Sequence, residues 1–211
     1  MKKVDRYNFF LNHFKKKLPN PKTELIYKTP FQLLVSVVLS AQCTDERVNK
    51  VTPQLFEKFP TVKSLAKGSF QDVYTLIKSI SYPNNKSKHL IALSKILVNK
   101  FNSNIPSSRG KLLMLPGVGR KTSNVILSVL FKQPKMAVDT HVFRVSKRIG
   151  LVKEEETNLV AIENELVKNI NKKLIPLAHH WLILHGRYTC LARNPKCDSC
   201  EISKICNYYN K

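Results

Sequence analysis

The chain has 211 residues, 43% of them apolar and 11 of them proline, and a formal net charge of +22 from 36 Lys+Arg against 14 Asp+Glu. That length allows one large or two small domains with real cores, and the charge makes a polyanion the natural partner, nucleic acid before a membrane. No apolar run reaches the ~18 residues of a membrane span, and Met1-Lys2-Lys3-Val4-Asp5-Arg6 scatters charge where a secretion signal would begin, so the chain reads as cytosolic.

Residues 5–17 set Tyr7, Phe9, Phe10, Leu11 and Phe14 among basic side chains, the pattern of an amphipathic helix that docks on something else. Pro19 and Pro21 mark residues 18–28 as a connector. With no local partner, this first helix is expected to pack with the C-terminal helices and make one domain discontinuous. Thr29-Pro30 opens a second helix, a hydroxyl cap followed by proline at the first helical position. Phe31 to Leu39 is almost all apolar, which predicts burial on nearly every side. Polarity returns at Ser40-Ala41-Gln42-Cys43, where Cys43 reads as a small core hydrophobe. Thr44-Asp45-Glu46 starts another helix with acids in its first turn. Thr61 and Ser69 cap two shorter helices ending near Ile80, residues 81–85 form a loop, and Lys86 to Phe101 is helical again.

The chain is organised around residues 112–124, Leu-Leu-Met-Leu-Pro-Gly-Val-Gly-Arg-Lys-Thr-Ser-Asn. The apolar run from Leu112 stops at Pro116, which cannot continue a helix comfortably. Gly117 and Gly119 allow a tight turn and leave backbone N–H groups uncovered. From Arg120 a new helix begins, with Val125, Ile126, Val129 and Leu130 at helical spacing. Helix, hairpin, helix follows, and bare amides at a helix N-terminus form an anion site suited to phosphate. Lys121 sits in the first turn, where the helix dipole repels an ammonium. An ordinary lysine, pKa ~10.4, is neutral in roughly one molecule per thousand near neutral pH, and lowering the pKa by about two units raises that fraction about a hundredfold. Position alone leaves two readings open: Lys121 as a phosphate contact, or Lys121 as a nucleophile.

Residues 131–135 form a second connector, and Asp139 can cap a helix that carries Val142, Phe143, Val145 and Ile149. Two further helices are expected over residues 155–170 and 175–187, the second more buried, around Trp181, Leu182 and Leu184. No segment sustains period-two alternation, so the fold class is all-α. His179 and His180, with His185, are read as packing residues rather than metal ligands, because neighbours on a helix point apart.

Cys190, Cys197, Cys200 and Cys206 lie within 17 residues at the end of the chain. In a cytosolic protein such crowding points to metal rather than disulfides. A structural zinc site usually shows two Cys-x-x-Cys knuckles, and here there is one, so one loop round a compact [4Fe–4S] cluster fits the spacing better while zinc remains open. Arg193 and Lys196 inside the loop either touch phosphate or are simply solvated.

Taken together, Leu-Ser-Ala-Gln-Cys-Thr-Asp (39–45), Leu-Pro-Gly-Val-Gly-Arg-Lys-Thr (115–122), Val-Asp-Thr-His-Val-Phe-Arg-Val (138–145), His-His-Trp-Leu-Ile-Leu-His-Gly-Arg (179–187) and the cysteine loop resemble, in order and over nearly the whole chain, the bacterial endonuclease III family. These are DNA glycosylases and abasic-site lyases of the helix-hairpin-helix superfamily. The resemblance implies a two-domain all-α fold. A six-helix barrel would span residues 22–133, with the helix-hairpin-helix at about 107–131. A discontinuous iron–sulfur domain would take residues 1–21 plus 134–211, with its cluster loop at 190–206. It implies one [4Fe–4S] cluster on Cys190, Cys197, Cys200 and Cys206, and removal of damaged pyrimidines by attack of Lys121 on C1′ of the deoxyribose with help from Asp139. The strand is then cut 3′ to the site by β-elimination. It also implies DNA contacts from Gln42, Gly117, Gly119, Arg120, His141 and Arg144. The partner would be duplex DNA with damaged pyrimidines or abasic sites, bound by a monomer in the bacterial cytoplasm, at the nucleoid. Two positions depart from the usual pattern. Ser123 stands for alanine, and Ser81-Tyr82-Pro83 replaces a more typical Gly-Leu-Tyr in a loop that in relatives inserts into the duplex. Two rivals are weighed against this. Adenine glycosylases of the same superfamily typically lack the lysine found here at 121. A passive DNA-binding module would require neither Lys121 nor Asp139.

Overall fold

Every regular element in the computed structural model, which describes residues 1–210, is helical, and no strand occurs among the described residues. The all-α expectation holds. The chain separates into two units, one formed by residues 23–131 and the other by residues 1–22 together with residue 132 onward.

The unit of residues 23–131 contains seven helices, numbered from α2 because α1 belongs to the other unit: α2 (Pro30–Leu39), α3 (Asp45–Lys58), α4 (Val62–Ala66), α5 (Phe70–Ile77), α6 (Pro83–Phe101), α7 (Arg109–Leu113) and α8 (Arg120–Phe131). Their starts are written in hydroxyls. Thr29, Thr44, Thr61 and Ser69 each accept an N–H from three residues on, satisfying one of the donors a helix leaves unpaired. Apolar α2 forms the centre: Leu33, Leu34, Val35 and Leu39 are fully buried, joined in one core by Leu55, Ile77, Leu90, Leu97, Leu112 and Ile126. Cys43 packs partly buried against that core. Helix α6 starts at Pro83, three residues before the expected Lys86. Proline at the first helical position is preset for helical geometry, and the Lys86 N–H already reaches the Tyr82 carbonyl at 3.1 Å.

The other unit holds α1 (Lys3–Lys17), α9 (Thr140–Ile149), α10 (Leu159–Asn169) and α11 (Ile175–Tyr188). Its N-terminal helix lies on the C-terminal ones through aromatic packing. Phe14 stacks on the fully buried Trp181 at 6.1 Å, and Phe10 meets the same ring edge-on at 6.4 Å. Two buried polar tips close the contact: the Tyr7 hydroxyl donates to the Leu151 carbonyl at 3.0 Å, and Trp181 Nε1 donates to the Leu18 carbonyl at 2.8 Å. Burial pushes the Tyr7 phenol up, with the nearby Glu165 charge adding to the shift. Helix α10 is shorter at its start than the periodicity predicts, because the Asn158 side chain takes the amides of Val160 and Ala161 and so fixes the first turn there. Helix α9 ends at Gly150, whose φ of +86° favours glycine, and an added Cβ would lie 2.4 Å from the Asn207 side chain and displace it.

Candidate nucleic-acid interface and cysteine loop

Helices α7 and α8 are joined by a turn whose backbone folds on itself. Leu115 N–H donates to the Leu112 carbonyl and Val118 N–H to the Leu115 carbonyl, both at 3.0 Å. Only one of the two hairpin glycines is demanded by conformation. Gly117 has φ +80°, and a Cβ there would stand 3.1 Å from His89 of α6, whereas a Cβ at Gly119 would meet nothing within 4 Å. Gly119 therefore works by leaving the surface bare rather than by enabling the turn. Both glycines, Arg120 and Lys121 are exposed. The hairpin's two helices are tied by Arg109, whose Nη2 donates to Asn124 Oδ1 at 2.6 Å, a bond the residue pattern did not reveal. Of the expected apolar run, Leu112 and Leu115 are buried while Leu113 and Met114 are about half-exposed, since a five-residue helix can bury only one face. Ser123, the departure from alanine, is fully buried, and its hydroxyl donates to the Arg120 carbonyl at 2.7 Å, so it needs no outside partner.

Gln42 lies in the same unit, just past α2, exposed and at φ +55°. Its carbonyl accepts from Ser81 Oγ at 2.7 Å. Tyr82, next in that loop, is also left-handed at φ +57° and is 61% exposed. Non-glycine residues in this region are uncommon, and bulky ones more so.

In the other unit Asp139 caps α9: its Oδ1 accepts the Val142 N–H at 2.7 Å, so the cap uses one carboxylate oxygen of two. His141 and Arg144 follow on α9. Gly186 of α11 admits His141 and Val145 closely, since a Cβ there would stand 2.9 Å from His141 Cβ and 3.0 Å from Val145 Cγ2. Arg144 is committed inward. Its guanidinium donates to the carbonyls of Cys190 at 3.1 Å, Gly186 at 2.8 Å and Thr140 at 3.3 Å, and lies 3.2 Å from His141 Nδ1. It acts as a strut between the start of α9 and the start of the cysteine loop. Lys121, Gln42 and the hairpin thus belong to one unit, and Asp139, His141, Arg144 and the cysteines to the other.

Cys190, Cys197, Cys200 and Cys206 line one cavity together with Ile149, His185, Pro195, Ile202 and Tyr208. The loop is built from short backbone turns: Cys200 N–H to the Cys197 carbonyl at 3.1 Å, Cys206 N–H to the Ser203 carbonyl at 3.0 Å. Arg148 braces it, donating to the Leu191 carbonyl at 2.6 Å and the Ala192 carbonyl at 3.0 Å, 3.5 Å from Cys190 Sγ and stacked 4.5 Å over the Tyr208 ring. Burial pushes the Cys200 and Cys206 thiols up, and the neighbouring thiols push the same way. A metal centre bound by all four sulfurs would supply the positive charge that deprotonated ligands need. Among the described residues no three or more His, Cys, Asp or Glu side chains stand in an arrangement that could hold a metal ion. The histidines at 179, 180 and 185 form no metal group either.

Both the fold and the hairpin are those of helix-hairpin-helix DNA repair proteins. The model of the HhH-GPD superfamily of base excision DNA repair proteins matches residues 35–172. The chain is 53% identical over 197 residues to the endonuclease III of Rickettsia felis, covering 93% of this chain and 92% of the relative. It is 42% identical over 201 residues to that of Escherichia coli K12, covering 95% and 94%. A solved endonuclease III trapped as a covalent intermediate with DNA superposes with a TM-score of 0.93 at 40% identity, covering 100% of this chain and 98% of that one. The chain belongs to the endonuclease III family.

Proposed function

We propose that this chain removes damaged pyrimidines from duplex DNA and then cuts the strand at the resulting abasic site, with Lys121 as nucleophile and Asp139 as its partner. The observation that carries this is an exposed lysine in the first turn of α8, directly after a hairpin with bare glycine surface. Amides around Gly117 and Gly119 grip a phosphate at that helix start. The damaged nucleotide is flipped out, since its base cannot be reached inside the stack. Unprotonated Lys121 forms a bond from Nζ to C1′ as the glycosidic bond breaks and the base leaves with the electron pair. Asp139 stabilises the positive charge developing on the sugar and helps move the proton. The sugar ring opens to a Schiff base, which acidifies the C2′ proton; its loss expels the 3′ phosphate. The trapped covalent endonuclease III on DNA supports this route. Gln42 and the Ser81-Tyr82-Pro83 loop fill and prop the gap in the duplex. Arg120 and His141 contact DNA, with Arg144 holding His141 from behind. No helix among the described residues is long and apolar enough to cross a membrane.

Borohydride reduction in the presence of abasic duplex is expected to trap a covalent protein–DNA adduct. A protein that binds abasic DNA tightly and never yields the adduct would be a passive binder instead.

Cys190, Cys197, Cys200 and Cys206 would hold one [4Fe–4S] cluster. The donor set fits: four thiols line one cavity, and [4Fe–4S] clusters take four thiolates. The cluster, when bound, ties the loop into one rigid unit. Purified protein is expected to be yellow-brown and to contain iron and acid-labile sulfide in equal amounts. A colourless preparation with stoichiometric zinc would overturn the cluster assignment.

A further inference from the structure

Lys86 is the one lysine of the unit of residues 23–131 that is buried, at 6% exposure, and the repair chemistry gives it no task. It comes from the first turn of α6, yet its Nζ donates to the carbonyls of Leu39 at 2.8 Å and Ala41 at 2.6 Å, at the C-terminal end of α2. Helix α2 has no basic residue of its own in its last turn. Its final carbonyls and the negative end of its dipole therefore take their cation from another element. Burial pushes the Lys86 amine below the ordinary lysine range. Two of its three donors are held by carbonyls, so it caps a helix rather than acting as a second nucleophile.

Those bonds converge on strained backbone. The residue after Ala41 is Gln42, at φ +55°, and its carbonyl is held by Ser81 Oγ. The residue after Ser81 is Tyr82, at φ +57°, which opens the helix that carries Lys86. Lys86 and Ser81 thus clamp two left-handed, exposed residues into one piece of structure. Side chains do not hold such conformations unless their surroundings over-determine them.

We propose that Lys86 is a positioning residue: its buried ammonium, with the Ser81 hydroxyl, locks Gln42 and Tyr82 into a single preformed wedge that enters an opened base pair, Tyr82 supplying an aromatic face for stacking. This rests on the repair reading given above. Aromatic faces stack on any base, so the wedge serves unpaired bases without reading their sequence. Without the clamp, each residue relaxes toward ordinary backbone, and the wedge must be reassembled at every encounter.

The test is fluorescence of a duplex with 2-aminopurine opposite a tetrahydrofuran abasic analogue, a probe that cannot react. Saturating wild-type protein raises the signal as the opposite base unstacks. Lys86→Met, still bound, loses most of that rise, and Ser81→Ala, which removes only an exposed-side bond, loses a smaller part. Single-turnover cleavage by Lys86→Met falls about tenfold to a hundredfold on an abasic duplex, the range expected from released backbone strain, and far less when the abasic site lies in an unpaired bubble. Full fluorescence rise in both variants, or equal losses on duplex and bubble, overturns the proposal. If Lys86→Met does not fold, Ser81→Ala decides alone. A wild-type protein that traps with borohydride but never raises the fluorescence overturns the wedge and spares the repair reading; failure to trap does the reverse.

Discussion

Lys121→Gln is expected to abolish the borohydride adduct and to slow strand cleavage at an abasic site by at least about a thousandfold, the scale on which enzymes lose rate when a nucleophile is deleted. Binding should survive. Glutamine keeps most of the side-chain length, and the hairpin amides around Gly117 and Gly119, which do not depend on residue 121, remain exposed. If Lys121 also neutralises one phosphate, the slope of log affinity against log salt drops by about 0.9. The two roles therefore separate in one variant. A phosphate contact alone predicts a modest affinity loss with the adduct intact; a nucleophile predicts near-unchanged affinity with the adduct gone. Gel-shift titration across salt and denaturing-gel trapping read the two quantities independently.

What the residues disclosed in advance follows from which forces are local. Caps are local: Thr29, Thr44, Thr61 and Ser69 announce helix starts because a side chain three residues from an amide has little choice of partner. The burial of α2 was equally legible, since nine residues with almost no polar atom have nowhere else to go. The hairpin's glycines mark the turn, but their division of labour is not in the sequence. Gly117 is fixed by His89, 28 residues earlier, and Gly119 by open space. The same limit hides Lys86, which in the sequence looks like any solvated lysine near a helix start. Its partners lie 47 and 45 residues away, and no periodicity reports a carbonyl at that range. Arg144 shows the converse. The family resemblance names it as a DNA contact, whereas in the fold its guanidinium donates to three backbone carbonyls. Long side chains carry the least readable information, because their reach exceeds the window over which sequence pattern is set.

At Asp139 an observed helix cap coincides with a proposed chemical role, and two substitutions pull the two apart. Asparagine caps helices about as well as aspartate, while alanine costs roughly 0.5–2 kcal/mol. Asp139→Asn is therefore expected to keep the Val142 N–H satisfied and leave Tm almost unmoved. Asp139→Ala should lower Tm by about 2–4 °C, the shift that ~1 kcal/mol produces in a protein of this size. The rates should not follow the stabilities. If the carboxylate stabilises positive charge on the sugar, Asp139→Asn loses it as completely as alanine does, and base removal falls about a hundredfold to a thousandfold in both. On a preformed abasic site the base has already gone, so the step that most needs the carboxylate is bypassed and both variants should lose much less. Thermal melting set beside single-turnover assays on a damaged-pyrimidine duplex and on an abasic duplex gives all these comparisons. An Asp139→Asn protein with full glycosylase activity would reduce the residue to a helix cap, and Lys121 would then have to act without the anionic partner assigned to it.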